Sequence, residues 1–168
     1  MSSKLYMIRH GEAVGNIDAA ILKDDRKNFL SKFGALQAQL TGQWFEKHKI
    51  DLTAIVSSEL CRARHTASAI RNQLTNEVPW YIDPAFNEFA DWEERYKVEV
   101  GFKTLILDLL TSGDVLLISH YYTMRAVFDH LVEPDCVASC DGKKINFCQI
   151  FVWDTSDPAR IISLDVMR

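Results

Sequence analysis

The sequence predicts an α/β fold: a three-layer α/β/α sandwich with a largely parallel central sheet. Two patterns carry this expectation. Short apolar runs, "KLYMI" at 4–8, "AIV" at 54–56, "WYI" at 80–82 and "VLLIS" at 115–119, have the length and continuity of strands buried on both faces. Between them lie longer segments whose apolar residues recur every three or four positions, as on one face of a helix. Strands and helices in alternation imply a parallel sheet with helices packed on it.

Taken in order, the first run is stopped by the charged, glycine-containing "RHGE", so a buried strand enters a loop at Arg9. The polar stretch from Asn16 to Lys32 reads as loop. Leu36, Leu40 and Trp44 then recur every four residues and predict a helix with that stripe as its apolar face. After the second strand, "SSELCRARHTASAIRNQL" opens with serines suited to helix capping and carries Ala63, Ala67, Ile70 and Leu74 at helical spacing. The third strand leads into "DPAFNEFADWEE", an acidic and aromatic connection expected to be a loop. Helical spacing returns from Arg95 to Leu110 at Val98, Phe102, Leu105 and Leu109. Gly101 weakens that helix by roughly 1 kcal/mol relative to alanine, and Gly113 is expected to end it. "VLLIS" is the clearest buried strand. Met124, Val127, Phe128 and Leu131 line the next helix, which stops by Pro134, and "FCQIFVW" and "RIISLDV" close the fold through a turn around Asp157 and Pro158.

A chain of 168 residues, 48% hydrophobic and 25% charged, has the composition of a soluble globular protein and the length of one domain, taken as 1–168. Its formal charge of -4 creates no general attraction for nucleic acid or anionic membrane, so neither is expected as a partner and any anion site must be assembled locally. The four cysteines, Cys61, Cys136, Cys140 and Cys148, form no CxxC pair and accompany no metal-ligand histidine pattern; reduced, partly buried thiols and no bound metal are expected. With no leader-like apolar region at its start and no run long enough to span a bilayer, the chain reads as cytoplasmic.

In a parallel sheet, ligands bind beyond the carboxyl ends of the strands. There the first strand delivers Arg9, His10 and Gly11, the second Ser57, Ser58 and then Arg62, and the fourth His120, while the third leads toward Glu88. Two guanidiniums and two imidazoles at one edge suit a phosphate dianion, which arginine's planar fork of donors matches. An unprotonated His10 imidazole can attack phosphorus while the neighbouring donors stabilise the transferring group. A carboxyl group must then protonate the leaving alkoxide and later activate water. Glu88, flanked by an apolar strand and aromatic residues, is the candidate, with Asp91, Glu93 and Glu94 as rivals in the same loop.

These residues carry a resemblance. "RHGEAVGN", "LSKFGALQA", "SSELCRARHTA", "ISHYYTMRAV" and "INFCQIFVW" resemble, in order, the landmark segments of the histidine phosphatase superfamily, the phosphoglycerate mutase-like proteins. The resemblance implies His10 as phosphohistidine nucleophile, Arg9, Arg62 and His120 as phosphate ligands, Glu88 as proton donor, Asn16 near the substrate, and no metal or other cofactor. Tyr121 and Tyr122 depart from it, standing where the family has glycine, and are expected to narrow or cover the pocket; His65 replaces a common glutamine, and Ala90 and Glu94 replace glycines. The short connection from Glu88 to Val115 implies that the large covering insertions of the mutases are absent, which favours hydrolysis in an open site. A small phosphorylated substrate or a phosphorylated protein is the expected partner. The competing readings are a phosphohistidine protein phosphatase and a non-catalytic phosphate-binding module. His48, His65 and His130 are assigned no chemistry, and Trp92 joins Tyr121 as a candidate for the entrance.

Overall fold

The computed structural model describes residues 2–18, 20, 24–25, 27–88, 99–131, 145–164 and 166. In chain order its elements are β1 (Lys4–Arg9), a one-turn α1 (Val14–Ile17), α2 (Lys32–Lys47), β2 (Leu52–Ser57), α3 (Cys61–Arg71), β3 (Trp80–Ile82), α4 (Glu99–Leu109), β4 (Asp114–Ser119), α5 (Tyr121–Leu131), β5 (Ile150–Asp154) and β6 (Asp157–Leu164). Tight 3-10 turns lie at Pro84–Phe86 and Leu110–Ser112.

The strands form one sheet in the order β3-β2-β4-β1-β5-β6. The pairs β3-β2, β2-β4 and β4-β1 are parallel, while β5 runs antiparallel to both β1 and β6. Period-two alternation divides each central strand between two cores. Leu5 and Met7 of β1 join Val56, Leu117, Phe151 and Trp153 under α4 and α5, whose Ile106, Met124, Val127 and Phe128 are buried there. Tyr6 and Ile8 face the other way, with Ile55, Leu116 and Ile118, against Ala38 and Phe45 of α2 and Ala63, Ala67 and Ile70 of α3. Both faces of the sheet are thus covered by helices, which is why its central strands read as continuous apolar runs.

Three local expectations are corrected. α2 forms where expected, but its buried face is Gly34, Gln37, Ala38, Thr41, Gly42 and Phe45. Leu36 is 47% exposed and Trp44 only half-buried. Small residues occupy the inner face because backbone approaches it closely: a Cβ on Gly34 would meet the Glu12 carbonyl oxygen at 1.9 Å, and one on Gly42 the Ile70 carbonyl oxygen at 2.7 Å. The serines before α3 do not cap it directly. Its N-cap position is Leu60, Ser58 Oγ accepts the Leu60 N–H at 3.0 Å, and the Cys61 N–H is taken by the Asp25 carboxylate at 2.9 Å. Finally, the turn between the closing strands falls at Thr155 and Ser156, with Asp157 and Pro158 opening β6. Asp154 sets it by accepting from both the backbone N–H and the hydroxyl of Ser156, and an edge strand tolerates a proline at its start.

Gly113 ends the fourth helical segment as expected. Its φ of 131° lies in a region that side chains rarely adopt. Of the expected helix from Arg95, residues 95–98 lie outside the described residues, as do the acidic loop residues 89–94 and the region around Pro134.

Candidate active site

Two backbone hydrogen bonds bring the strand exits together. His10 N–H donates to the Ser119 carbonyl at 2.9 Å, and Ser58 N–H donates to the Ile118 carbonyl at 3.1 Å. Because β1 and β4 are neighbours in parallel register, Arg9 opposite Ser119, the residues that follow them meet as well. The His10 and His120 rings lie with centroids 5.0 Å apart, both buried.

The loop carrying His10 is held from two sides. Gly11 and Gly34 pass so closely that a Cβ on Gly11 would come 2.5 Å from the Gly34 carbonyl oxygen. Gln37 Oε1 accepts the Glu12 N–H at 2.9 Å, and Ser31, whose Oγ caps α2 by accepting the Gly34 N–H at 3.0 Å, donates to Glu12 Oε1 at 2.6 Å. From α3, Thr66 Oγ1 accepts the Gly11 N–H at 3.0 Å. The "LSKFGALQA" and "SSELCRARHTA" segments therefore build the frame that aims His10.

The hydrogen bonds assign the tautomer of His10. Its Nδ1 lies 2.8 Å from the Gly11 carbonyl oxygen, which only accepts, so Nδ1 carries the proton and Nε2 the lone pair. Arg62 Nε–H points at that lone pair from 3.2 Å. Burial first, then the guanidiniums of Arg62 and Arg9, push the His10 pKa well below 6.5, although the Gly11 carbonyl opposes them. At neutral pH the ring is uncharged, with its Nε2 lone pair facing Arg62.

His120 is oriented by a polar chain. Asn87 Oδ1 accepts the Glu59 N–H at 3.1 Å, which identifies it as the oxygen, and so Ser58 Oγ at 2.8 Å must donate to it. Ser58 Oγ then accepts from His120 Nε2, 2.8 Å away. His120 Nδ1 is buried with no partner among the described residues. Burial, followed by His10, Arg62 and Arg9, lowers the His120 pKa well below 6.5.

Arg62, on the first turn of α3, is buried, and Asp25 faces its NH1 from 3.2 Å. The Arg9 guanidinium lies over the Phe147 ring, 4.0 Å from its centroid, and 5.6 Å from that of Tyr121. Burial is the leading cause lowering the pKa of both arginines, and Glu88 opposes it in both. Glu88 follows the Pro84–Phe86 turn, which is tied down by Ser119 Oγ donating to the Phe86 carbonyl at 2.7 Å and Thr123 Oγ1 donating to the Asn87 carbonyl at 2.7 Å. Its Oε1 accepts the Tyr122 N–H at 3.1 Å, at the start of α5. Burial raises the Glu88 pKa against the pull of that N–H, Arg62 and Arg9.

Of the residues singled out in the sequence, Arg9, His10, Arg62, Glu88, His120 and Tyr121 come together through these contacts. Asn16 does not join them: it is exposed, and its Oδ1 accepts the Ala13 N–H at 3.0 Å, closing the short α1. Tyr121 covers Arg9, whereas Tyr122 packs edge-on against it and is 44% exposed. His48 stacks on Trp44, and His65 lies 3.5 Å from the Cys61 sulfur. Cys61 is half-buried and Cys148 buried, both free; Cys136, Cys140, Trp92 and the rival acids Asp91, Glu93 and Glu94 lie outside the described residues. Sequence reasoning missed Asp25, Phe147, Ser58 as a histidine partner and Asn87. Asp25 sits in a stretch without periodicity; Phe147 reads as the first residue of a closing strand, which instead begins at Ile150. Among the described residues, no three His, Cys, Asp or Glu are grouped to share a metal ion, and no helix is long and apolar enough to cross a membrane.

A buried imidazole pair between two guanidiniums, at the carboxyl ends of parallel strands, has the charge and the donors that suit a compact oxyanion. The chain belongs to the histidine phosphatase superfamily (branch 1), whose family model matches residues 5–103. Over 95 residues it is 35% identical to the adenosylcobalamin/alpha-ribazole phosphatase of Escherichia coli strain K12, covering 55% of this chain and 44% of that protein. It is 33% identical over 95 residues to the fructose-2,6-bisphosphatase TIGAR of Xenopus laevis, covering 54% of this chain and 34% of the relative. The chain thus spans less than half the length of these relatives. Among solved structures, mycobacterial hydrolase 1 superposes with a TM-score of 0.75 at 20% identity, covering 98% of both chains. The protein histidine phosphatase SixA complexed with tungstate superposes with a TM-score of 0.67 at 19% identity, covering 96% of this chain and 94% of that one.

Proposed function

We propose that the protein is a cytoplasmic phosphomonoesterase, one domain over 1–168, that works without a metal through a phosphohistidine on His10. The observation that carries this reading is the His10 Nε2 lone pair, fixed by the Gly11 carbonyl and facing the Arg62 guanidinium at 3.2 Å. In the first step Nε2 attacks phosphorus, the bond from phosphorus to the ester oxygen breaks, and Glu88 gives its proton to the departing oxygen. Its pKa, raised by burial, keeps that proton on the carboxyl to higher pH than on an ordinary glutamate. In the second step the Glu88 carboxylate takes a proton from water, which displaces His10 and releases inorganic phosphate. Arg9, Arg62 and His120 surround the equatorial oxygens throughout, His120 through the unpartnered Nδ1, which takes up a proton as the dianion arrives and then donates it in a hydrogen bond. Tyr121 lines the phosphate pocket over Arg9, while Asn16, whose side chain closes α1, takes no part in it.

The test is rapid quench with a radiolabelled phosphomonoester. Turnover is expected to leave an acid-labile, alkali-stable phosphoryl group on the wild-type protein and none on His10→Ala, which loses hydrolysis. Turnover with no such group at any quench time eliminates the covalent mechanism. Phosphate binding without turnover of any ester favours the non-catalytic module.

A second reading, a phosphohistidine protein phosphatase, is favoured by the short Glu88 to Val115 connection, which leaves little chain to cover the site against a folded partner. Faster dephosphorylation of a phosphohistidine protein than of sugar phosphates or nucleotides supports it over a small-molecule enzyme.

A further inference from the structure

The turn that leads into β5 touches Arg9 at three points. The Ile145 carbonyl accepts from Arg9 NH1 at 3.2 Å, the Phe147 ring lies 4.0 Å from the guanidinium carbon, and Cys148 N–H donates to the Arg9 carbonyl at 2.9 Å. Arg9, the last residue of β1, and Phe147, ahead of β5, also pair as an isolated parallel bridge. The same ring reaches the proposed nucleophile, with centroids of Phe147 and His10 5.7 Å apart. Next to it, the buried Cys148 has a φ of 54°, a left-handed conformation that a side chain disfavours. The fold holds this turn in an unusual shape, and the shape presents Phe147 to the site.

We propose that Phe147 is a positioning residue for the phosphate grip. Its ring fixes the plane of the Arg9 guanidinium and packs against His10, so that both meet the phosphoryl group already oriented. An arginine has several rotatable bonds, and each must be frozen before its fork of donors fits an oxyanion. Stacking on a ring uses the face of the guanidinium and leaves its in-plane N–H groups free. Here NH1 is spent on Ile145, while Nε is buried with no partner among the described residues. A phosphate oxygen is the acceptor that suits such a donor. An aliphatic side chain would fill the same volume but lacks the electron-rich face that attracts the cation. The inference rests on reading the site as one for phosphate.

The test compares wild type, Phe147→Leu and Phe147→Tyr by calorimetric titration with inorganic phosphate and by steady-state hydrolysis of p-nitrophenyl phosphate. Circular dichroism checks folding, and Phe147→Met replaces the leucine variant should that one not fold. Phe147→Leu is expected to raise the phosphate Kd and the KM roughly tenfold, between the values of an exposed and a fully desolvated cation–π contact, with kcat within about threefold and Phe147→Tyr restoring binding. Wild-type affinity in Phe147→Leu, equal losses in the leucine and tyrosine variants, or a fall confined to kcat would overturn the proposal. A wild-type protein that binds phosphate but hydrolyses no ester refutes the hydrolase reading alone, since the Kd comparison still decides the role of Phe147. No phosphate binding by wild type refutes both.

Discussion

Protonation states decide what individual residues at this site can do, and burial sets opposite conditions for the proposed acid, Glu88, and the proposed nucleophile, His10. Glu88 must start the cycle protonated, and its raised pKa keeps more of it so as pH approaches neutrality. Activity is therefore expected to fall as pH rises through the Glu88 pKa. His10 must start unprotonated, and its pKa, well below 6.5, places the acid limb of the profile below the range of an ordinary histidine. Glu88→Gln is expected to lose the alkaline limb and to lower kcat on an alkyl phosphate by about 10²–10⁴-fold, the usual worth of general acid catalysis. p-Nitrophenyl phosphate should suffer less, because its leaving group needs little protonation. Profiles of kcat/KM against pH for both substrates check this, and an alkaline limb persisting in Glu88→Gln would assign the proton to another group. The histidines, arginines and Glu88 were legible in the sequence because each follows an apolar strand, so topology alone brings them to one edge. Asp25, Asn87 and Phe147 were not, because their roles depend on side-chain directions in loops that no periodicity encodes.

At the scale of elements, the motif glycine of α2 makes the helix part of the site's support. Gly34 packs on the backbone of the His10 loop, whereas Gly42, two turns on, packs on Ile70 and Gln73 of the α3 region. Gly34→Ala is expected to cost about 1–3 kcal/mol, typical of overpacking, and to lower kcat as the loop shifts. Gly42→Ala should destabilise the fold by a similar mechanism yet leave kcat near wild type. Urea unfolding with kcat measured below the transition separates them; equal kcat values in the two variants would count against the view that α2 aims His10. The existence of α2 was legible in its four-residue spacing, but its orientation was not. The stripe of large residues, Leu36 and Trp44, lies off the core because the inner face must admit backbone, and a hydrophobic pattern assigns most weight to the largest side chains. Strands β1, β2 and β4 were legible because burial on both faces leaves them uniformly apolar, and the turn before β6 was misplaced by two residues because Asp154 and Ser156 make it without glycine or proline.

For the whole molecule, a chain with a formal charge of -4 concentrates positive charge at one buried edge, so stability and ligand state are linked through protons. His10 and His120 both have folded-state pKa values well below 6.5, and an unfolded chain releases them to ordinary values. As pH falls below about 6.5, the unfolded state takes up protons that the folded site refuses, so stability declines until the folded pKa values are reached. A phosphate dianion between the rings reverses the local field and favours their protonated forms. A ligand that stays a dianion throughout that window, as sulfate does, should therefore bind with net proton uptake. Phosphate at about 100 times its Kd adds roughly 2.7 kcal/mol of stability, which for a chain of this size corresponds to an increase in Tm of about 5–10 °C. The decline in Tm between about pH 6.5 and pH 5 should be shallower with sulfate, a dianion across that range, than without, and shallower still in a His10→Asn/His120→Asn variant, which has no buried imidazole to protonate. Thermal denaturation across that range, with calorimetry in buffers of different ionisation enthalpy to count protons, measures both effects. An unchanged pH slope in the double variant would show that acid sensitivity arises from the carboxylates instead.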